Sequence, residues 1–279
     1  MEKEWDDLIA RALAEDVGPG DHSSNCSIPE ETAGKMQLLV KAEGILAGLQ
    51  AAEKVFRAVD PAIEMIPRMK DGQRVREGEV AFTLEGPVRS LLRGERLSLN
   101  IMQRMSGIAS YTFRLCQMIK HTEAKLLDTR KTTPTLRFME KEAVRIGGGH
   151  NHRKGLYDLI MLKDNHVDFA GGVEAAIAKA KAYREEHQLT VGIEVETRNF
   201  DEIEAVLRAG GVQRVMFDNF EVADCTKAVK MCEGQIETEA SGGINENTLV
   251  AYAETGVDYI SMGALTHSVK SLDLSLKAL

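Results

Sequence analysis

From residue 124 onward, short apolar runs alternate with helix-length polar segments. The runs occupy 125–127, 159–162, 191–195, 215–217, 236–240 and 259–262. Strands separated by helices pair in the same direction, which demands a parallel sheet with right-handed crossovers. Glu196, Asp218, Ala240 and Met262 follow one another at steps of 22 residues, consistent with successive strand–helix units. Six such units predict a partial or small (β/α) barrel, and in such a barrel the C-terminal strand ends open at one mouth.

That mouth would be chemically loaded. The runs end in Asp128-Thr129-Arg130, Lys163-Asp164-Asn165, Glu196, Asp218-Asn219, Glu239 with Ser241-Gly242-Gly243, and Gly263-Ala264. An ionisable residue that ends a buried strand is costly unless paired or used. Residues 130–163 carry eight Lys and Arg against three Asp and Glu, a local +5 in a chain of formal charge −8. A cationic island in an acidic protein suits a small polyanion; a nucleic-acid or anionic-membrane surface should be basic overall. A solvated basic face is the ordinary alternative. Against it, these cations sit at strand ends and in loops, beside Gly147-Gly148-Gly149-His150-Asn151-His152-Arg153.

The turns at Ser241-Gly242-Gly243 and Gly263-Ala264-Leu265 follow the last two strands, where barrels often bind phosphate. Glycine there lets backbone N–H groups approach an oxygen, and a helix start favours an anion. Tight turns that need glycine only for their φ are the other reading. Glu196 and Asp218 end adjacent strands. Their hard oxygens suit Mg²⁺ completed by water and substrate phosphates; hydrogen bonds to ribose hydroxyls, or ion pairs with Lys163 or Arg130, would serve equally. Together these residues fit a magnesium-dependent reaction on a phosphosugar with a second, anionic substrate.

The first hundred or so residues read as a separate unit. Residues 4–15 predict an amphipathic helix, 36–42 a strand, 49–59 a helix and 72–86 strands joined by a Glu-Gly turn. Over 95–120, Leu97, Ile101, Met105, Ile108 and Thr112 recur at helical spacing, with Ser106-Gly107 as a point of division. The boundary is placed between 108 and 109, and the tail 268–279 is expected to pack back on the first domain. Cys26, Cys116, Cys225 and Cys232 contain no C-x-x-C pair and are read as buried reduced thiols. The acidic start has no apolar h-region and no run reaches the ~18–20 residues of a membrane span, so a cytoplasmic protein is expected. Trp5 reads as a packing anchor, Met102 and Met105 as core filler, and His121 and His187 as surface residues.

These motifs carry a resemblance over nearly the whole chain. Gly94-Glu95-Arg96, Gln103 to Ala109, Asp128 to Pro134, Gly147 to Arg153, Leu162 to His166, Glu194-Val195-Glu196, Phe217 to Phe220, Ser241 to Gly243 and Gly263 to Ser268 stand in the order of one family. The chain resembles the quinolinate phosphoribosyltransferases, also called nicotinate-nucleotide pyrophosphorylases (carboxylating). The resemblance implies an α/β fold of the type II phosphoribosyltransferase kind, with an N-terminal open α/β sandwich and a C-terminal incomplete (β/α) barrel. It implies transfer of phosphoribosyl from phosphoribosyl pyrophosphate to quinolinate with decarboxylation, in de novo NAD biosynthesis and with Mg²⁺. By the same resemblance, Arg130, His152, Arg153 and Lys163 clamp quinolinate, and Lys131 meets pyrophosphate or the second carboxylate, with Thr129 beside them. Glu196 and Asp218 hold Mg²⁺ and ribose hydroxyls. Ser241, Gly242, Gly243, Gly263, Ala264 and Leu265 cradle the 5-phosphate with His267 nearby. A homodimer or larger homo-oligomer is implied, with Arg96 crossing to the neighbour's site, and no nucleic-acid or membrane partner. The alternatives are a sister phosphoribosyltransferase of the same fold and a catalytically silent phosphosugar-binding barrel.

Overall fold

The structure, a computed structural model, describes residues 2–279. The chain divides into two compact units. The first runs to Phe113 and also takes Phe138–Gly148 and Ser268–Leu279; the second takes Arg114–Arg137 and Gly149–His267.

The first unit holds α1 (Glu2–Val17), α2 (His22–Ser27), β1 (Ala33–Val40), β2 (Gly44–Ile45), α3 (Leu49–Val59), β3 (Glu64–Pro67), β4 (Arg74–Val75), β5 (Val80–Pro87) and most of α4 (Val88–Ile119). Nearly all of α5 (Arg137–Ile146) and the last strand, β12 (Leu274–Ala278), belong to it as well. Its main sheet is antiparallel, in the order β12-β1-β5-β3. Alternate residues of a strand face one side, so β1 turns Met36, Leu38 and Val40 inward. They meet Leu49 and Phe56 of α3, Leu91, Leu99 and Met102 of α4, and Leu274 and Leu276 of β12 in one core. Helices thus cover one face of the sheet, the open sandwich expected. Trp5 meets Phe138 edge-on at 4.9 Å between ring centroids. The unit is discontinuous in sequence, so no single cut near residue 108 describes it: α5 and the tail return to it from beyond that point.

The Ser106-Gly107 pair does not divide α4, which runs unbroken from Val88 to Ile119. Gly107 is instead a point of close approach, where a Cβ would strike the Lys270 carbonyl oxygen and lie 3.0 Å from the Ser271 Cα. All four cysteines are unpaired, but only Cys225 and Cys232 are buried; Cys26 is exposed and Cys116 half-buried.

The second unit holds β6 (Lys125–Leu127), β7 (Ile160–Leu162), α6 (Asp164–Ala170), α7 (Val173–Glu186), β8 (Ile193–Thr197), α8 (Phe200–Ala209), β9 (Arg214–Asp218), α9 (Val222–Cys232), β10 (Glu237–Ser241), α10 (Leu249–Ala253), β11 (Tyr259–Ser261) and α11 (Ala264–His267). Its six strands form one parallel sheet in the order β6-β11-β10-β9-β8-β7. Among the described residues no ladder joins β6 to β7, so the barrel is incomplete. Local signals set the punctuation. Asn199 caps α8 by accepting from the Glu202 N–H at 2.9 Å, and Gly210 ends that helix at φ 58°.

Candidate active site

At the C-terminal strand ends of the second unit lies a cavity of about 610 Å³. Thr129, Arg130 and Lys131 reach it from the loop after β6, and His152 and Arg153 from the loop before β7. Lys163 follows β7, Glu196 lies on β8, Asp218 ends β9 and Ser241 ends β10, with Gly242 and Gly243 beyond it. Gly263, Ala264 and His267 close the far side. Residues scattered over nearly 140 positions therefore converge because each lies at or near the same end of a parallel strand. A larger groove, about 1000 Å³, lies at the opposite strand ends around Gln213, Glu237 and Asp258. It lacks the convergent cations.

The Leu265 side chain is fully buried in the core and does not line the cavity. Arg96, expected to reach a neighbouring subunit's site, is exposed on α4 of the first unit.

Backbone geometry shapes the far wall. Gly242 and Gly243 take φ values of 97° and 62°, a region that side chains resist. Asn219 adopts φ 56° without being glycine, and its N–H donates to the Ser241 carbonyl at 2.9 Å. Its side-chain amide donates to Asp218 Oδ2 at 2.7 Å. A Cβ on Gly263 would lie 2.8 Å from Lys131 Cδ and 3.1 Å from His267 Cδ2, which brings these side chains close to the turn.

Charge is arranged in opposition. Lys163 Nζ donates to Glu196 Oε2 at 2.6 Å, the ion pair that competed with a metal role in the sequence reading. Burial raises the Asp218 carboxyl above its usual range, and the charge of Glu196 adds to the rise. Burial lowers the Arg153 guanidinium from its usual value, and the charge of Arg130 lowers it further. The cavity thus holds like charges close together on both its cationic and its acidic sides. Arg137 braces the basic loop through Thr132 Oγ1 at 3.0 Å and the Lys154 carbonyl at 2.8 Å.

Beneath the mouth His152, expected in the quinolinate clamp, and Glu239, expected at the mouth, join Glu194 and Arg214, for which no role was expected, in one cluster. The His152 Nε2 is 3.1 Å from Glu194 Oε2 and 3.5 Å from Glu239 Oε2, and Arg214 Nη1 is 3.0 Å from Glu239 Oε2. Both carboxylates are fully buried. Burial lowers the His152 imidazole, but the two carboxylates outweigh it and push it up to about 9. Burial and the charge of Glu239 raise Glu194. On Glu239 burial is overcome by His152 and Arg214, and its carboxyl is lowered. The signal was present in the period-two pattern: Glu194 precedes Glu196 by two, Glu239 precedes Ser241 by two, and Arg214 precedes Asp218 by four.

The fold and the cavity together define an α/β-barrel protein with a cation-lined cavity and an open sandwich domain. The family model for the quinolinate phosphoribosyl transferase C-terminal domain matches residues 108–277, and that for the N-terminal domain matches 13–106. A quinolinate phosphoribosyltransferase [decarboxylating] 1b of Nicotiana tabacum is 42% identical over 97% of this chain and 81% of its own length. A probable nicotinate-nucleotide pyrophosphorylase [carboxylating] of Bacillus subtilis is 43% identical over 96% of this chain and 91% of its own. The solved nicotinate-nucleotide pyrophosphorylase of Francisella tularensis superposes with a TM-score of 0.95 at 39% identity, covering 100% of this chain and 97% of that one. The chain belongs to the quinolinate phosphoribosyltransferase family. No helix among the described residues is long and apolar enough to cross a membrane.

Proposed function

We propose that this chain transfers the phosphoribosyl group of phosphoribosyl pyrophosphate to quinolinate with decarboxylation, yielding nicotinate mononucleotide, pyrophosphate and CO₂ in de novo NAD biosynthesis. The convergence of Arg130, Lys131, Arg153 and Lys163 on one cavity, opposite two glycine turns and two acids, carries the reading. Quinolinate bears two adjacent carboxylates, and a guanidinium fork grips a carboxylate with two parallel bonds. Burial chiefly, and then the charge of Arg130, lowers the Arg153 guanidinium, and a dianion between the two arginines would relieve their repulsion. The Ser241–Gly243 and Gly263–Ala264 turns hold the 5-phosphate, with His267 beside them.

Glu196 and Asp218 fit a hard divalent cation. Burial chiefly, and then the charge of Glu196, raises the Asp218 carboxyl, and a cation held by the two acids would offset both. These two residues would hold Mg²⁺ together with ribose hydroxyls. When bound, the ion neutralises charge that develops on the leaving pyrophosphate.

The remaining work is positioning. The quinolinate ring nitrogen forms a bond to ribose C1 while the C1–oxygen bond to pyrophosphate breaks. Positive charge grows on the ribose and negative charge on the leaving group, which Lys131 opposes. The resulting pyridinium takes the electron pair of the adjacent carbon–carboxylate bond. CO₂ departs and the ring carbon then accepts a proton. The protein aligns and neutralises and needs no covalent nucleophile. Arg96, exposed on α4, is the residue by which a second copy would complete the quinolinate clamp.

Arg130→Ala tests the clamp. Loss of one charged partner from such a site costs about 2–4 kcal/mol, roughly 30- to 1,000-fold. The fall is expected in kcat/KM for quinolinate, with the KM for phosphoribosyl pyrophosphate little changed. Near-wild-type kcat/KM for quinolinate would contradict the assignment.

A further inference from the structure

The barrel interior is charged where a barrel of this kind is ordinarily filled by branched aliphatic side chains. Residues two apart on a strand face one side. β8 therefore presents Glu194 below Glu196, β9 presents Arg214 below Met216 and Asp218, and β10 presents Glu239 below Ser241. The upper members line the cavity, and so does Glu239. The lower ones form a linked set. Arg214 lies 3.8 Å over the Tyr259 ring and bonds Glu239 Oε2 at 3.0 Å and Glu237 Oε2 at 3.1 Å. Glu239 and Glu194 both face the Nε2 edge of His152.

His152 is consequently turned downward. Its Nε2 addresses the buried carboxylates, its Nδ1 accepts from the Arg153 backbone N–H at 2.6 Å, and the His152 backbone N–H donates to Asp128 Oδ1 at 2.8 Å. The ring links the barrel interior to the main chain that carries Arg153. Burying this many charges is costly unless each is tied to another, and an apolar substitute is often as stable. Fold stability alone is a poor reason for the set.

We propose that Arg214, Glu239 and Glu194 are positioning residues, which clamp the His152 imidazole from beneath and so hold Arg153 in one orientation at the cavity wall. The clamp sets how well the second carboxylate of the acceptor is met. Its kinetic consequences rest on the quinolinate reading above; its geometry does not.

Glu239→Gln, Glu194→Gln and Arg214→Met are the test, each nearly isosteric or apolar. Glu239→Gln and Arg214→Met are expected to lower kcat/KM for quinolinate tenfold or more, chiefly through KM, while the KM for phosphoribosyl pyrophosphate stays within twofold. In a His152→Asn background, Glu239→Gln should add no further loss, since both act through one ring. A fall in melting temperature with unchanged quinolinate kinetics would overturn the proposal, as would additive losses in the double variant. Ring-nitrogen NMR of the unmodified protein keeps the proposal falsifiable if a variant does not fold. Above the pH at which the ring loses its second proton, about 9, a single tautomer with Nε2 protonated and hydrogen-bonded is expected; rapid exchange between tautomers would contradict the clamp. That readout stands even if the protein does not turn over quinolinate, which separates failure of the clamp from failure of the functional reading. Zn²⁺ titrated in the absence of substrates is the last arm. One-to-one binding lost in Glu194→Gln would make the trio a metal centre and overturn the positioning role.

Discussion

His152 carries two carboxylates on one ring edge, and this fixes the sign of its response to pH. The Arg153 N–H at Nδ1 favours the neutral ring, but a single neutral hydrogen bond is worth about 1 kcal/mol. Two buried carboxylates at 3.1 and 3.5 Å outweigh it. The imidazole is therefore raised in the folded protein, to about 9, above its unfolded value. Its contribution to stability is fully present below the unfolded value and is lost as pH rises through the folded one, by about 3 kcal/mol. Urea midpoints are expected to fall between pH 6.5 and 9.5, less steeply in His152→Asn; an identical slope in the variant would contradict the assignment. Gly242 makes a second argument at this scale. An added Cβ at φ 97° would lie 2.8 Å from the Asn219 backbone nitrogen, so the turn has to move. Gly242→Ala is expected to cost about 1–3 kcal/mol of stability. It should also raise the KM for phosphoribosyl pyrophosphate more than that for quinolinate, as steady-state kinetics would report.

Among the elements, β12 depends most on the rest of the chain. It pairs antiparallel with β1 from Met36↔Ala278 to Val40↔Leu274 and buries Leu274 and Leu276, with Leu272 just before it. Each buried leucine contributes about 1.5–3 kcal/mol, so three approach the whole stability of a typical domain. Deleting 268–279 would also strip the Gln103 side-chain amide of its acceptor, the Leu274 carbonyl, and leave β1 as a bare edge. The truncated chain is expected to aggregate or to lose its cooperative melt in calorimetry. A wild-type melt would show that the tail is dispensable. Elements of this sort were partly legible. Alternation and spacing recovered α3 and placed all six parallel strands within about two residues, because their side chains obey local periods. Ser106-Gly107 misled because helix propensity says nothing of the Lys270 carbonyl that approaches Gly107 from far along the chain. The return of α5 to the first unit depends on packing that no local period encodes.

For the molecule as a whole, the mouth of the barrel was legible and its interior was not. Arg130, Arg153, Lys163, Glu196 and Asp218 stand at or beside strand ends, where chain position alone predicts convergence. Glu194 and Arg214 lie within strands, where a charged residue reads as an outward-facing one until the pairing of neighbouring strands is known; Glu239 reads with the strand-end residues, but nothing local ties it to His152. The cation-lined mouth and the charged set below it suit a doubly carboxylated acceptor and a phosphosugar donor. The most direct test is to supply the purified protein with quinolinate, phosphoribosyl pyrophosphate and Mg²⁺ and to follow nicotinate mononucleotide and CO₂ together. The account predicts the two products in equal amounts, lost on chelation of the metal, restored by Mg²⁺, and absent when nicotinate replaces quinolinate. Quinolinate that binds without turnover, or nicotinate used in its place, would contradict it.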